Sequence, residues 1–279
     1  MASKDEINEL RGVANEIRRL SLQMIAKSGA GHPGGSLSIT DVITALYFKE
    51  MRVDPANPLW EDRDRLVLSK GHASPPLYVA LAKRGFFDES HLMTFDQIDS
   101  ILQGHPDMSK TPGIDMSTGS LGQGLSAGQG IALGAKMKNR NFRVYVILGD
   151  GECQEGQVWE AALSAPRFGL DNLTAIIDYN KVQLASSLAD SIPLEPLEDK
   201  WRAFGWHVVS INGHDMGAIL SAIEEARNTK GKPTVILANT IKGKGVSFME
   251  HRYEWHARAP NADELEKALN ELTLPGGLD

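Results

Sequence analysis

The 279-residue chain carries one cysteine and a net charge of −7, with 42% hydrophobic and 23% charged residues. That balance excludes wholesale disorder, an internal disulfide, a cysteine-cluster metal site and a global basic field for nucleic acid or an anionic membrane. No apolar run approaches the ~20 residues of a membrane span, and the charged, helix-periodic N-terminus is no secretory signal, so the expected compartment is the cytoplasm. Ile7, Leu10, Ala14, Ile17 and Met24 recur at helical spacing and predict an amphipathic helix over about 5–27. It runs into the glycine-rich stretch SGAGHPGGS at 28–36, after which Asp41 is expected to cap a short apolar helix, VITALYF. Short Val- and Ile-rich runs at Leu66–Leu68, Val144–Leu148, Leu173–Ile177, Val208–Ile211 and Thr234–Ala238 read as strands buried on both faces. Helical stretches at about 123–138, 157–168, 196–204, 215–229 and 262–272 separate or follow them. The alternation predicts an α/β fold: a mainly parallel sheet with helices on both faces, formed by residues 1–279 as one domain. In such sheets ligands sit beyond the carboxyl ends of the strands, so the loops there are where chemistry is sought.

The strand at 144–148 ends in Gly149-Asp150-Gly151, and the next one in Asp178-Tyr179-Asn180. A right-handed βαβ unit brings Asp150 and Asn180 to one sheet edge. A carboxylate and an amide oxygen, with a loop carbonyl nearby, suit Mg²⁺, which completes its octahedron with phosphate oxygens and water. The glycines flanking Asp150 let backbone approach such a phosphate. Either segment alone is equally an ordinary turn; the pairing of the two strand ends carries the signal. A second signal is the company the histidines keep. Four of the eight follow a glycine, at His32, His72, His105 and His214, where average composition predicts about one. The first three fall in predicted loops, two of them held extended by the following proline. His214 precedes Asp215, which opens a helix, so that segment reads as a structural cap.

These segments together resemble the N-terminal, diphosphate-binding part of transketolase. SGAGHPGGS (28–36) is similar to the family's Ser-Gly-His-Pro-Gly loop with two residues inserted, and LSKGHASPPLY (68–78) to its Leu-Ser-x-Gly-His motif. GHP at 104–106, STGSLGQGLS at 117–126 and GDGECQEGQVWEAA at 149–162 follow in the family's order, so the resemblance runs from about residue 13 to 260. It implies thiamin diphosphate as cofactor, held through Mg²⁺ (or Ca²⁺ or Mn²⁺) by Asp150, Asn180 and the Val182 carbonyl. Gly151, His72 and His256 are then expected near the diphosphate and thiazolium, and the backbone of Gly119, Ser120 and Leu121 near the aminopyrimidine. His32, His105 and His256 are expected to line the sugar channel and handle hydroxyl protons. Glu155 falls where the family has an acid at the subunit interface; an acid there is also favoured simply by a helix N-terminus.

The chain departs from the family pattern in having Ser120 for a proline and Val182-Gln183-Leu184-Ala185-Ser186 in the loop after Asn180, and in ending soon after the helix near 262–272 with Leu-Pro-Gly-Gly-Leu-Asp. The implied function is therefore that of the N-terminal subunit of a two-component transketolase of the pentose phosphate type. It would move a two-carbon ketol unit between sugar phosphates, its partner being a C-terminal, pyrimidine-binding subunit in an α2β2 assembly. The rivals are the α subunit of a 2-oxoacid dehydrogenase, a deoxyxylulose-phosphate synthase-like chain, and a non-catalytic thiamin diphosphate-binding module. The first lacks the Gly-His-Pro loops, and retention of His32, His72, His105 and His256 together disfavours the last. Gly122-Gln123-Gly124-Leu125-Ser126-Ala127 fits a dinucleotide fingerprint but follows no strand. Lys242 and Lys244 in IKGKGVS are expected to be solvated loop cations, with a sugar phosphate as the alternative partner. Cys153, Trp201, Phe204 and Trp206 are expected to pack, and His91, His207 and His251 carry no motif.

Overall fold

The computed structural model describes residues 2–273; the Leu-Pro-Gly-Gly-Leu-Asp tail lies outside them. Helix α1 (Lys4–Ser28) starts where the Ser3 hydroxyl accepts the Glu6 N–H and stops at Gly29, whose φ of 73° lets its N–H close onto the Ile25 carbonyl. Helix α2 (Pro33–Ala45) departs from expectation. It begins inside the glycine-rich stretch, because Pro33 at the first position supplies a helical φ and lacks the N–H that would go unpaired. Asp41 is consequently not a cap. It sits mid-helix and buried, paired with the Arg18 guanidinium at 2.5 Å and with the His214 Nδ1 at 2.7 Å. Gly34 is bare for a steric reason: a Cβ there would meet the Lys242 side chain at 2.9 Å and the Trp255 carbonyl oxygen at 3.0 Å.

Strand β1 (Arg65–Leu68) leads to α3 (Ser74–Lys83), a helix that periodicity does not reveal because every residue from Ser74 to Ala82 is buried and no polar face marks it. Then come α4 (Gln123–Met137), β2 (Val144–Gly149), α5 (Gly156–Arg167), β3 (Leu173–Tyr179), α6 (Leu197–Ala203), β4 (His207–Asn212), α7 (Met216–Asn228), β5 (Thr234–Asn239) and α8 (Ala262–Glu271). All five expected strands are present, each one or two residues longer than its apolar run. They form one sheet in the order β1-β2-β3-β5-β4 with every pairing parallel.

Alternation along the strands divides the core in two. Leu66, Leu68, Tyr145, Ile147, Ile176 and Ile236 face α1, α2, α3 and α7. Val67, Val146, Leu148, Ala175, Ile177 and Val235 face α4, α5 and α6, where Trp201 and Trp206 pack edge to face at 4.9 Å. Cys153 is buried on that second side, as expected of a packing residue. Asp215 caps α7 by accepting the Gly217 and Ala218 N–H groups, and its neighbour His214 accepts the Ile241 N–H on Nε2 while its Nδ1–H meets Asp41. The cap reading of that segment therefore holds, with a cross-link added. No helix among the described residues is long and apolar enough to cross a membrane.

Candidate active site

Gly149 of β2 pairs with Asp178 of β3, so the loops that follow leave the sheet side by side. Asp150 and Asn180 both open into one cavity of about 430 Å³. Eleven of the twelve residues singled out from sequence line it: His32, His72, His105, Gly119, Leu121, Asp150, Gly151, Glu155, Asn180, Val182 and His256. Ser120 is the exception, exposed beside it. A wider hollow of about 570 Å³ at the ends of β3, β4 and β5 shares Asn180 and Val182 but holds only His251 among the histidines.

Four separate segments deliver the imidazoles. His32 precedes α2, His72 sits in the turn after β1, His105 lies in the long loop before α4, and His256 ends the turn before α8. The His32 ring centroid is 5.0 Å from His72, 5.4 Å from His256 and 6.1 Å from His105. Burial is the main cause that lowers three of them. With the charges of His105 and Lys242 it takes His32 to about 4, and with Lys242 and His32 it takes His256 to about 3. His72 lies well below the ordinary value through burial and the nearby Lys70. All three are neutral at pH 7, able to donate from one nitrogen and accept on the other. Lys242 fixes the tautomer of His256: its ammonium donates to Nδ1 at 2.8 Å, so the ring proton is on Nε2.

Lys242 corrects the reading of IKGKGVS. It is only 2% exposed, and its ammonium also donates to the Val182 carbonyl at 2.9 Å. Burial and the neighbouring Lys70 lower its pKa to about 8. Lys244 stays at the surface beside Glu250. Sequence reasoning also misses a second buried cation. The Lys70 ammonium donates to the Gly35 carbonyl at 2.8 Å and to Asp178 at 2.5 Å. Asp178 gathers Ser38 at 2.6 Å, Thr240 and the Asn180 amide nitrogen at 3.1 Å on its two oxygens. With its nitrogen so engaged, the Asn180 amide oxygen is turned the other way, where the Val182 N–H donates to it at 3.1 Å. The Lys70 ammonium beside a helix start and the Lys242 ammonium beside two glycines carry no periodic signal; only the fold reveals their burial.

Asp150 accepts the Gly151 N–H at 2.7 Å and also the Lys181 N–H, the latter brought round by a left-handed turn at Lys181 (φ 64°). Burial, followed by the charge of Asp178, pushes the Asp150 carboxyl up to about 7. Among the described residues no three His, Cys, Asp or Glu side chains form a metal site by themselves. The donors at hand are one carboxylate, one amide oxygen and one main-chain carbonyl, all hard oxygens. They fit a Mg²⁺-type cation that takes its remaining ligands from phosphate and water, and such a cation would relieve the repulsion between Asp150 and Asp178. Gly151 lines the cavity as bare backbone, and a Cβ there would stand 3.3 Å from the Gln183 side chain. Glu155 is exposed at the cavity mouth, with Gly122 packed on its side chain.

Residues 10–275 match the family described as "Transketolase, thiamine diphosphate binding domain". The chain is 52% identical to the 6-deoxy-6-sulfo-D-fructose transketolase subunit SqwG of Clostridium sp. (strain MSTE9), over 96% of this chain and 98% of that one. It is 42% identical to an apulose-4-phosphate transketolase subunit of Phocaeicola vulgatus, over 96% and 94%. The transketolase structure from Campylobacter jejuni superposes with a TM-score of 0.90 at 34% identity, covering 97% of this chain and 43% of that one. The chain thus spans the two relatives named as subunits almost fully, and less than half of the C. jejuni transketolase.

Proposed function

Because the chain belongs to the transketolase family, as its thiamine diphosphate-binding domain, we propose that it is the N-terminal subunit of a two-component transketolase. One observation carries the reading: four imidazoles from four segments surround a cavity floored by the paired Asp150 and Asn180. In this proposal Asp150, Asn180 and the Val182 carbonyl hold Mg²⁺, and Gly151, His72 and His256 meet the diphosphate end. The backbone of Gly119, Ser120 and Leu121 meets the aminopyrimidine. Residues 1–279 form one domain, and Glu155 faces a pyrimidine-binding subunit in an α2β2 assembly in the cytoplasm.

Bound thiamin diphosphate supplies the carbanion and electron sink that breaking a carbon–carbon bond in a ketose requires. The protein's own share is positioning and proton handling. His256 can donate from Nε2 to a sugar oxygen while Lys242 holds its other nitrogen. His32, neutral at pH 7, can accept a hydroxyl proton. The names of the relatives at 52% and 42% identity both denote sugars with an anionic group, a sulfo group in one and a phosphate in the other. We infer an anionic ketose donor here as well.

The test is reconstitution. The purified chain with Mg²⁺, thiamin diphosphate and a ketose/aldose pair is expected to be inactive alone and to turn over once the pyrimidine-binding subunit is added. Full turnover without it would sink the two-component reading.

His105 and His72 separate two roles. His105 is exposed at the rim, with its ring against Gly119, and His72 lies deeper between Lys70 and His256. His105→Ala is expected to lower donor kcat/KM by roughly ten- to a hundredfold, between a lost hydrogen bond and full loss of acid–base help, with cofactor affinity unchanged. His72→Ala should weaken the cofactor more than the donor. Titrating cofactor and donor separately against both variants decides it, and the reverse pattern would show the two histidines to be misassigned.

A further inference from the structure

Donors from the turn after β1, the loop before α4 and the end of β2 converge on one carboxylate that the sequence alone leaves without a role. Glu152 follows Asp150 by two residues and is only 3% exposed. One of its oxygens accepts the Gly122 N–H at 2.8 Å and the Ser69 hydroxyl; the other accepts the Gly149 N–H at 3.0 Å. The Ser69 oxygen in turn accepts the Gly124 N–H at 3.2 Å, and a Cβ at Gly124 would lie 2.4 Å from it, so α4 can approach only as bare backbone. Three donors aimed at one group call for an acceptor on both of its oxygens. A carboxyl group offers two oxygens, and an amide does not, since its nitrogen donates.

On the functional reading above, two of these loops meet opposite ends of one molecule. The Gly149–Gly151 loop takes the diphosphate and the Gly119–Leu121 loop the aminopyrimidine. We infer that Glu152 is a positioning residue that fixes the separation of these two loops, so that both ends of thiamin diphosphate are met at once. It touches neither the sugar nor the metal; it acts through Gly122, Ser69 and Gly149.

The inference rests on the proposed function, and the experiment is arranged to tell the two apart. The chain is purified with the subunit that supplies the pyrimidine-binding half, and thiamin diphosphate with Mg²⁺ is titrated by calorimetry. Glu152→Gln keeps the acceptor for Gly122 and Ser69 but turns an amide nitrogen toward the Gly149 N–H. It is expected to weaken cofactor binding roughly tenfold, and Glu152→Ala, which strands all three donors, roughly a hundredfold. The KM for cofactor should rise in step, while kcat at saturating cofactor stays within roughly threefold of wild type. Hydrogen exchange at Gly122 and Gly149 should quicken in both variants. Cofactor affinity equal to wild type in both, or a lower melting temperature with unchanged affinity in Glu152→Gln, would overturn the inference. If Glu152→Ala does not fold, Glu152→Gln decides alone. A wild-type complex that takes up no thiamin diphosphate overturns the functional reading itself, and this inference with it.

Discussion

Asp150→Ala is expected to abolish Mg²⁺-dependent uptake of thiamin diphosphate while leaving the fold intact. The carboxylate is 3% exposed, offers the one acidic oxygen pair among the proposed metal donors, and lies against the buried Asp178. Removing the carboxylate from a buried carboxylate–cation contact costs about 3–5 kcal/mol, which corresponds to a fall in affinity of roughly a hundred- to several-thousandfold. The fold should survive for a specific reason. The two N–H groups left without an acceptor, on Gly151 and Lys181, lie at the cavity, where water can replace the lost oxygen. Calorimetry of cofactor binding with Mg²⁺, and again after chelation, reads the effect, and circular dichroism checks the fold. Chelation should reduce the wild type to the level of the variant. Wild-type affinity in Asp150→Ala would show that the metal is held elsewhere.

Lys70→Met should have the largest effect on stability. Lys70 and Asp178 are 2.5 Å apart, with side chains 2% and 0% exposed. Burial alone would raise the Asp178 pKa, but the Lys70 charge and the hydrogen bonds of Lys70, Ser38 and Thr240 overcome it and hold it below the ordinary value. Without Lys70 a fully buried carboxylate stands unpaired, at a cost of about 3–5 kcal/mol. For a chain of this size that lowers the melting temperature by roughly 6–20 °C. Pairing Lys70→Met with Asp178→Asn removes both charges and should recover a large part of the loss, as a double-mutant cycle measures. A single variant that melts within about 2 °C of wild type, the shift expected for less than 1 kcal/mol, would mean that water or another cation compensates Asp178.

Most strands were legible because burial on both faces leaves unbroken Val and Ile runs, as at Val144–Leu148; the edge strand β4 is the exception, none of its residues being fully buried. The pairing of Asp150 with Asn180 was legible because consecutive parallel strands place their ends together. His32, His72 and His105 were legible as Gly-His pairs, whereas His256 follows a tryptophan and stood out only through the family resemblance. What escaped has a common cause. Helix α3 and the start of α2 are buried all round, so they lack the polar stripe that announces a helix. Lys70, Lys242 and Glu152 are polar residues whose burial depends on partners far away in sequence, Asp178, His256 and Gly122 among them. A lysine in a loop has the same letters around it whether it faces water or a carboxylate. Local composition favours the solvated reading, and for Lys242 that reading is wrong.

The bare first turn of α2 has a consequence for anyone who would engineer the protein. Helix propensity favours alanine over glycine by about 1 kcal/mol, so a stabilisation campaign would mark Gly34 for replacement. The added methyl would collide with the stem of Lys242, and the Trp255 carbonyl on its other side leaves no direction of retreat. The protein gains nothing from that glycine as a helix. It gains a corridor through which an ammonium group reaches His256 and Val182. A choice made on helix propensity alone would block that corridor, and the clash would cost melting temperature as well as the placement of the ammonium beside His256 and Val182.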